Sequence, residues 1–122
     1  MDEEDDMSEQ NPATEITGPL RIAVVDDPAS AGWQLLVNFT DDFKAASLEE
    51  QGRRFADYQR ELMEGIARLP EGDRNRDGMA IVLQLVNEML PYVREGQIAL
   101  EETIVVQIAQ SQAVSITDFL NA

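Results

Sequence analysis

The segment Met79 to Leu90, Met-Ala-Ile-Val-Leu-Gln-Leu-Val-Asn-Glu-Met-Leu, is apolar almost all the way round a helix and runs up to Pro91. A helix of that kind cannot lie on a surface with one face in water; it needs cover on several sides. A chain of 122 residues holds one domain around one core. The cover must therefore come from a sheet beneath, a helix alongside and, where these fall short, a second copy of the chain. That requirement selects a layered fold with this helix at its centre.

Two stretches before it supply strands. Leu20-Arg-Ile-Ala-Val-Val25 is a short apolar run halted by Asp26-Asp27-Pro28, and Trp33, Leu35, Val37 and Phe39 alternate along the next run, the period of a half-buried strand. Together they predict a hairpin turning between Asp26 and Gly32. The competing reading of residues 28–39 is a helix with Asp27 as N-cap and Pro28 in its first turn. Gly32 and the β-branched and aromatic residues after it oppose that reading.

Ser47-Leu-Glu-Glu50 is a capping box: the serine hydroxyl accepts from the amide three residues on, and the glutamate reaches back. A helix should start there. Phe55, Tyr58, Leu62, Ile66 and Leu69 then recur every three or four residues up to Pro70, while Glu50/Arg54, Arg53/Asp57, Arg60/Glu64 and Glu64/Arg68 stand four apart on the other face. Thr103 to Ala109 is β-branched and short, a strand beneath the apolar helix. Residues 110–122 fit a strand or a short helix equally well. The predicted fold is α+β in two layers, a β-hairpin followed by two helices and one or two further strands. It spans residues 20–122 as a single domain behind a disordered acidic tail, residues 1–19.

Charge narrows the function. The chain carries 24 acidic against 9 basic side chains, a net −15. About half of the imbalance lies in residues 1 to 20, where seven acids stand without a base. The acidic balance repels nucleic-acid phosphates, membrane surfaces and anionic substrates and favours basic surfaces or cations. The chain has no cysteine and no histidine, which excludes disulfides, Cys–His dyads, Ser–His–Asp triads and zinc sites built on those ligands. Its N-terminus is acidic where a signal peptide is basic and then apolar, and the longest apolar run, Met79 to Leu83, is far short of a membrane span. A cytoplasmic location is the expectation.

Four segments approach known motifs. Asp73-Arg-Asn-Arg-Asp-Gly78 matches the first half of a helix-loop-helix calcium loop, with Asp73, Asn75 and Asp77 as candidate ligands and Gly78 at the bend. The twelfth position, where a bidentate glutamate belongs, is Gln84, and Arg74 and Arg76 offset the two aspartates. The better reading is a polar loop whose aspartates cap the apolar helix at its positive end, with Arg74 and Arg76 projecting as partner contacts.

Arg21 to Asp27 resembles the opening strand and acidic pair of response-regulator receivers over seven residues. No third-strand aspartate follows, and the sole lysine, Lys44, stands too early for the receiver lysine. Ile108 to Phe119 has the spacing of a helix-turn-helix, yet no basic residue occurs from Glu95 onward. Glu61-Leu-Met-Glu64 resembles half of the Mg²⁺ site of all-α nucleotide pyrophosphohydrolases, and no Glu after Glu64 is followed by Asp three residues later.

No motif calls for a cofactor. The expected function is a non-catalytic binding or regulatory module acting through protein contacts, with a homodimer as one form. The alternatives are an acidic mimic of nucleic acid that blocks a basic partner, and a carboxylate-based Mg²⁺ or Ca²⁺ protein using Asp73, Asn75 and Asp77.

Overall fold

The computed structural model describes residues 15–27 and 32–121, and in them the backbone obeys the period of the apolar side chains. A short strand β1 (Glu15–Thr17) pairs antiparallel with β2 (Leu20–Asp27) through a two-residue turn, Gly18-Pro19. Gly18 takes φ +58°, the left-handed first position that suits a tight hairpin and that glycine adopts without strain. Strand β2 pairs in turn with β3 (Gly32–Phe39), with Leu20 opposite Phe39, Ile22 opposite Val37 and Val24 opposite Leu35. The turn between them, residues 28–31, lies outside the described residues, as do residues 1–14 of the expected tail. The first described residue, Glu15, is already in a strand, five residues before the Leu20 expected from the sequence.

A five-residue helix α1 (Asp41–Ala45) follows, capped by Thr40, whose hydroxyl accepts from the Phe43 amide at 3.2 Å. Helix α2 (Leu48–Arg68) starts at the expected cap, with Ser47 Oγ accepting from the Glu50 amide at 3.2 Å. Helix α3 (Arg74–Arg94) runs through Pro91 instead of stopping before it. The missing N–H leaves one carbonyl, that of Asn87, without its bond. Asn87 and Pro91 are both exposed, so water can take that carbonyl's place. The stop signal is Gly96: at φ +69° its amide bonds the Val93 carbonyl and the Gln97 amide bonds that of Tyr92, the two-bond closure that ends helices in a left-handed glycine.

Strand β4 (Ile104–Ile108) completes the sheet against β3, and helix α4 (Gln110–Leu120) resolves the ambiguity of the last segment. Ala109 gives no side-chain cap; the Gln112 side chain supplies the returning half of a capping box by accepting from the Ala109 amide at 2.8 Å.

The sheet order is β1-β2-β3-β4, wholly antiparallel. The architecture is thus the expected two-layer α+β; one strand, β4, follows the helices as expected, while β1, not expected from the sequence, precedes the hairpin. Leu20, Ile22, Leu35, Val37 and Phe39 point into the helical layer and form one buried cluster with Phe43, Phe55, Leu62, Val82, Val86, Val93 and Ile116. Within it the rings of Phe39 and Phe43 stack at 5.2 Å and Phe43 meets Phe55 at 5.5 Å. Gln51, the buried polar side chain among the described residues, donates from Nε2 to the carbonyls of Phe43 and Ala46 at 3.1 and 3.2 Å. Those are the carbonyls of a last-turn residue of α1 and of its C-cap, so the amide closes the helix's end.

The apolar helix finds its cover inside one chain. Helix α3 packs against α2 on one side and α4 on the other, and Val82, Val86, Met89, Leu90 and Val93 are buried. Gly78 makes the α4 contact close: a Cβ there would lie 2.3 Å from the Ser115 carbonyl oxygen and 2.7 Å from Phe119 Cβ. A second copy is therefore not needed to cover this helix.

Candidate functional site

The helices all lie on one face of the sheet, so the other face is open among the described residues. Its side chains follow from the register. Ile16, Arg21 and Asn38 form one row, Ala23, Leu36 and Val105 the next, and Val25, Gln34 and Gln107 the third. The middle row is entirely apolar. Ile16 is 59% exposed and Val105 53% exposed, Val25 and Leu36 are half-buried, and Ala23 is buried at 5%; none of Ile16, Val25, Leu36 and Val105 belongs to the core cluster. Arg21 is the one charge among the nine positions, in a chain with 24 acids. Thr103 closes one margin by donating from its hydroxyl to Asn38 Oδ1 at 2.8 Å.

Beside this face, between the β1–β2 turn and α2, lies an open cleft of about 720 Å³ lined by Arg21, Glu50, Arg53, Arg54, Asp57 and Tyr58, among others. Its floor is built from the sequence outward. Tyr58 sits on the buried stripe of α2, its ring presses on Gly18 so closely that any Cβ there would overlap it, and its hydroxyl shares a hydrogen bond with Thr17 Oγ1. The β1–β2 turn is thereby fastened to α2. Burial pushes the Tyr58 phenol up to about 12, against the opposing pull of the Thr17 hydrogen bond and with a contribution from Glu61. A phenol held there keeps its proton and cannot serve as a base near neutral pH.

Two of the three arginines that line the cleft, Arg53 and Arg54, are already engaged. Arg53 pairs with Glu50 and, at 3.2 Å, with Asp57, and Arg54 reaches Glu50 at 3.0 Å. Hydrogen bonds from Arg53 and then Arg54 hold the Glu50 carboxyl below its ordinary range. Further along α2, Arg60 turns back to Asp57 at 3.1 Å rather than forward to Glu64, the partner expected from spacing, and Arg68 meets Glu64 at 3.9 Å. The exposed side of α2 thus alternates in sign and presents no unbroken row of carboxylates.

The Asp73–Gly78 segment is not a loop. Asp73 is the N-cap of α3, its carboxylate accepting from the Asn75 amide at 2.8 Å, and Arg74 to Gly78 are already helical. At about 100° per residue, Asn75 and Asp77 diverge around the helix instead of converging on one point. Arg74, its side chain 68% exposed, reaches Asp118 on α4 at 3.4 Å, and Arg76 lies 4.0 Å from Glu71. Gly78 serves the α3–α4 contact, not a bend around an ion. Asp26 and Asp27 end β2, and Glu61 and Glu64 are exposed on α2.

The open face was not visible in the sequence, because its nine residues come from four separate strands and only the register assembles them. Among the described residues no three potential metal ligands of the His, Cys, Asp or Glu type cluster together, and no helix is long and apolar enough to cross a membrane. Comparison with protein families, with curated proteins and with solved structures finds no match to this chain.

Proposed function

We propose that the chain is a non-catalytic protein-binding module that offers the open face of its sheet to a protein partner. The observation behind this reading is the composition of that face: three rows with an apolar centre, polar amides around it and a single arginine, on a chain of net −15. Such a face suits an apolar-centred, neutral protein surface, and a single arginine on a chain of this net charge is little provision for phosphate or lipid headgroups. Exposed apolar patches of this kind are where soluble proteins make contacts.

Size sets the strength. At about 3.3 Å by 4.8 Å per residue, the four strands present about 400 Å² of projected face. That is small beside the roughly 800 Å² per partner of a standard stable interface, so the contact is of the transient class unless the face is enlarged. The alternating charge on α2 gives no support to a nucleic-acid mimic, and the helical Asp73–Gly78 segment gives none to a cation loop.

The test is a comparative capture experiment in native lysate with three baits: wild type, the sheet-face variant Ile16→Glu/Leu36→Glu, and Met63→Glu on the helical layer. A protein retained by wild type and Met63→Glu but lost with the sheet-face variant is the expected result. Captured proteins indifferent to the sheet-face changes, with all three baits shown to be folded, would overturn the proposal.

A further inference from the structure

The two margins of the sheet differ. On one side β1 is three residues long and ends in Gly18-Pro19. On the other, β4 is Ile104-Val-Val-Gln-Ile108, five residues without charge, proline or glycine. Edge strands are ordinarily blunted by a charge, a proline, a bulge or a covering element, because their outward N–H and C=O groups are templates for another strand. β4 carries none of these sequence devices. Its outward-facing backbone groups have no backbone partner among the described residues, and Ile104, Val106 and Ile108, which face the helical layer, stay only half-buried at the sheet's end.

We infer that β4 pairs with β4 of a second copy, antiparallel about a two-fold axis through Val106, joining two four-stranded sheets into one of eight strands. The occupant is named by charge and register. Two chains of net −15 can approach only where carboxylates are absent or face neutral groups, and the five residues of β4 are neutral. Antiparallel pairing about Val106 sets Ile104 against Ile108 of the second copy and Val106 against its own counterpart, extending the core beneath the sheet. On the open face it sets Val105 against Gln107. Just beyond the strand it brings Glu102 towards the neutral Gln110 end, whereas parallel in-register pairing would place Glu102 on Glu102. Glu101 is already matched by Lys44 at 3.1 Å.

The inference uses the sheet's edge and backbone and does not rest on what binds its face. It does bear on that reading, because joining two sheets doubles the continuous face to about 800 Å², the standard interface size.

Sedimentation equilibrium on the full chain tests it, with a monomer of 13.6 kDa. Wild type is expected at twice that mass at high micromolar concentration. In Val105→Lys/Gln107→Lys each lysine faces a lysine across the axis, and the dissociation constant should rise about tenfold. In Val105→Lys/Gln107→Glu each lysine faces a glutamate, and the dimer should persist. Circular dichroism verifies that each variant is folded. A monomeric wild type, or equal association of the two double variants, would overturn the pairing. Ile16→Glu/Leu36→Glu leaves β4 untouched and should remain dimeric, so loss of face binding and loss of edge pairing are read separately.

Discussion

Gly78→Ala is the substitution through which the packing account can be tested most sharply, because two effects of known sign oppose each other there. Gly78 lies in the first turns of α3 with no positive φ, so alanine is compatible with its backbone and gains about 1 kcal/mol of helix propensity. Against this, the new Cβ would stand 2.3 Å from the Ser115 carbonyl oxygen, 2.9 Å from its carbon and 2.7 Å from Phe119 Cβ. Ordinary contact needs about 3.5 Å, and two of the three atoms are backbone that cannot rotate aside. Helix α4 must retreat by about 1 Å, lifting the buried Ala113 and Ile116 from their neighbours. Overpacking of this sort costs about 1–3 kcal/mol, and contact with unyielding backbone puts it at the upper end. The net expectation is a loss of about 2 kcal/mol, or a Tm lower by about 6–10 °C for a domain of this size. Gly72→Ala is the counterpart, with φ +87° and nothing within 4 Å; its cost of about 1 kcal/mol comes from the backbone alone. Thermal and urea unfolding of both variants beside wild type measure the difference. A Gly78→Ala protein as stable as wild type, or more so, would refute the close seating of α4 on α3.

Three further outcomes follow from the geometry. The Tyr58 phenol titrates near 12 in the folded chain and near 10 when unfolded, so the unfolded state releases its proton first. The tyrosine's contribution is intact below pH 10 and is lost as pH rises from 10 to 12, by up to about 3 kcal/mol; in Tyr58→Phe, urea midpoints across that window should fall less steeply than in wild type. Gln51→Leu removes the donor that serves the Phe43 and Ala46 carbonyls and should cost about 1–3 kcal/mol in urea unfolding, more than Gln59→Leu, whose amide makes an exposed bond to Asn87. Asp73→Ala should lower stability by about 1 kcal/mol while Asp73→Ser restores most of it, and millimolar Ca²⁺ should leave the melting temperature of wild type unchanged.

Long, periodic or capped elements were legible in the sequence. The hairpin strands followed their alternation, α2 began at the Ser47 cap, and the apolar α3 took the central place that its composition demanded. What escaped was short or depended on distant partners. β1 has three residues, one of them apolar, too few for a period, and it is held by the Gly18-Pro19 turn and by Tyr58, 41 residues away from Thr17. α1 carried a readable signal, Thr40 before Asp41-Asp42, but five residues cannot show a helical stripe. Pro91 reads in the sequence as the end of α3 because proline usually stops a helix; near an exposed C-terminus one lost bond is tolerable, and Gly96 is the stronger signal. The Asp73–Gly78 segment was correctly legible as a cap and misjudged as a loop, since Gly78 suggested a bend and its role as a helix contact depends on Ser115. The open face could not be read at all without the register that brings Ile16, Leu36 and Val105 onto one surface.

The central claim is that contact with a partner is made by the sheet's open face and not by the helical layer. Exposure alone does not separate the two, for Ile16 at 59% and Met63 at 56% are equally available to solvent. A photo-crosslinking amino acid placed in turn at Ile16, Val105, Met63 and Tyr92 of the full chain, irradiated in native lysate, separates them directly. Defined adducts with a protein other than this chain from positions 16 and 105, with none from 63 and 92, are the predicted result. Adducts from the helical positions alone, or equally from all four, would contradict the account.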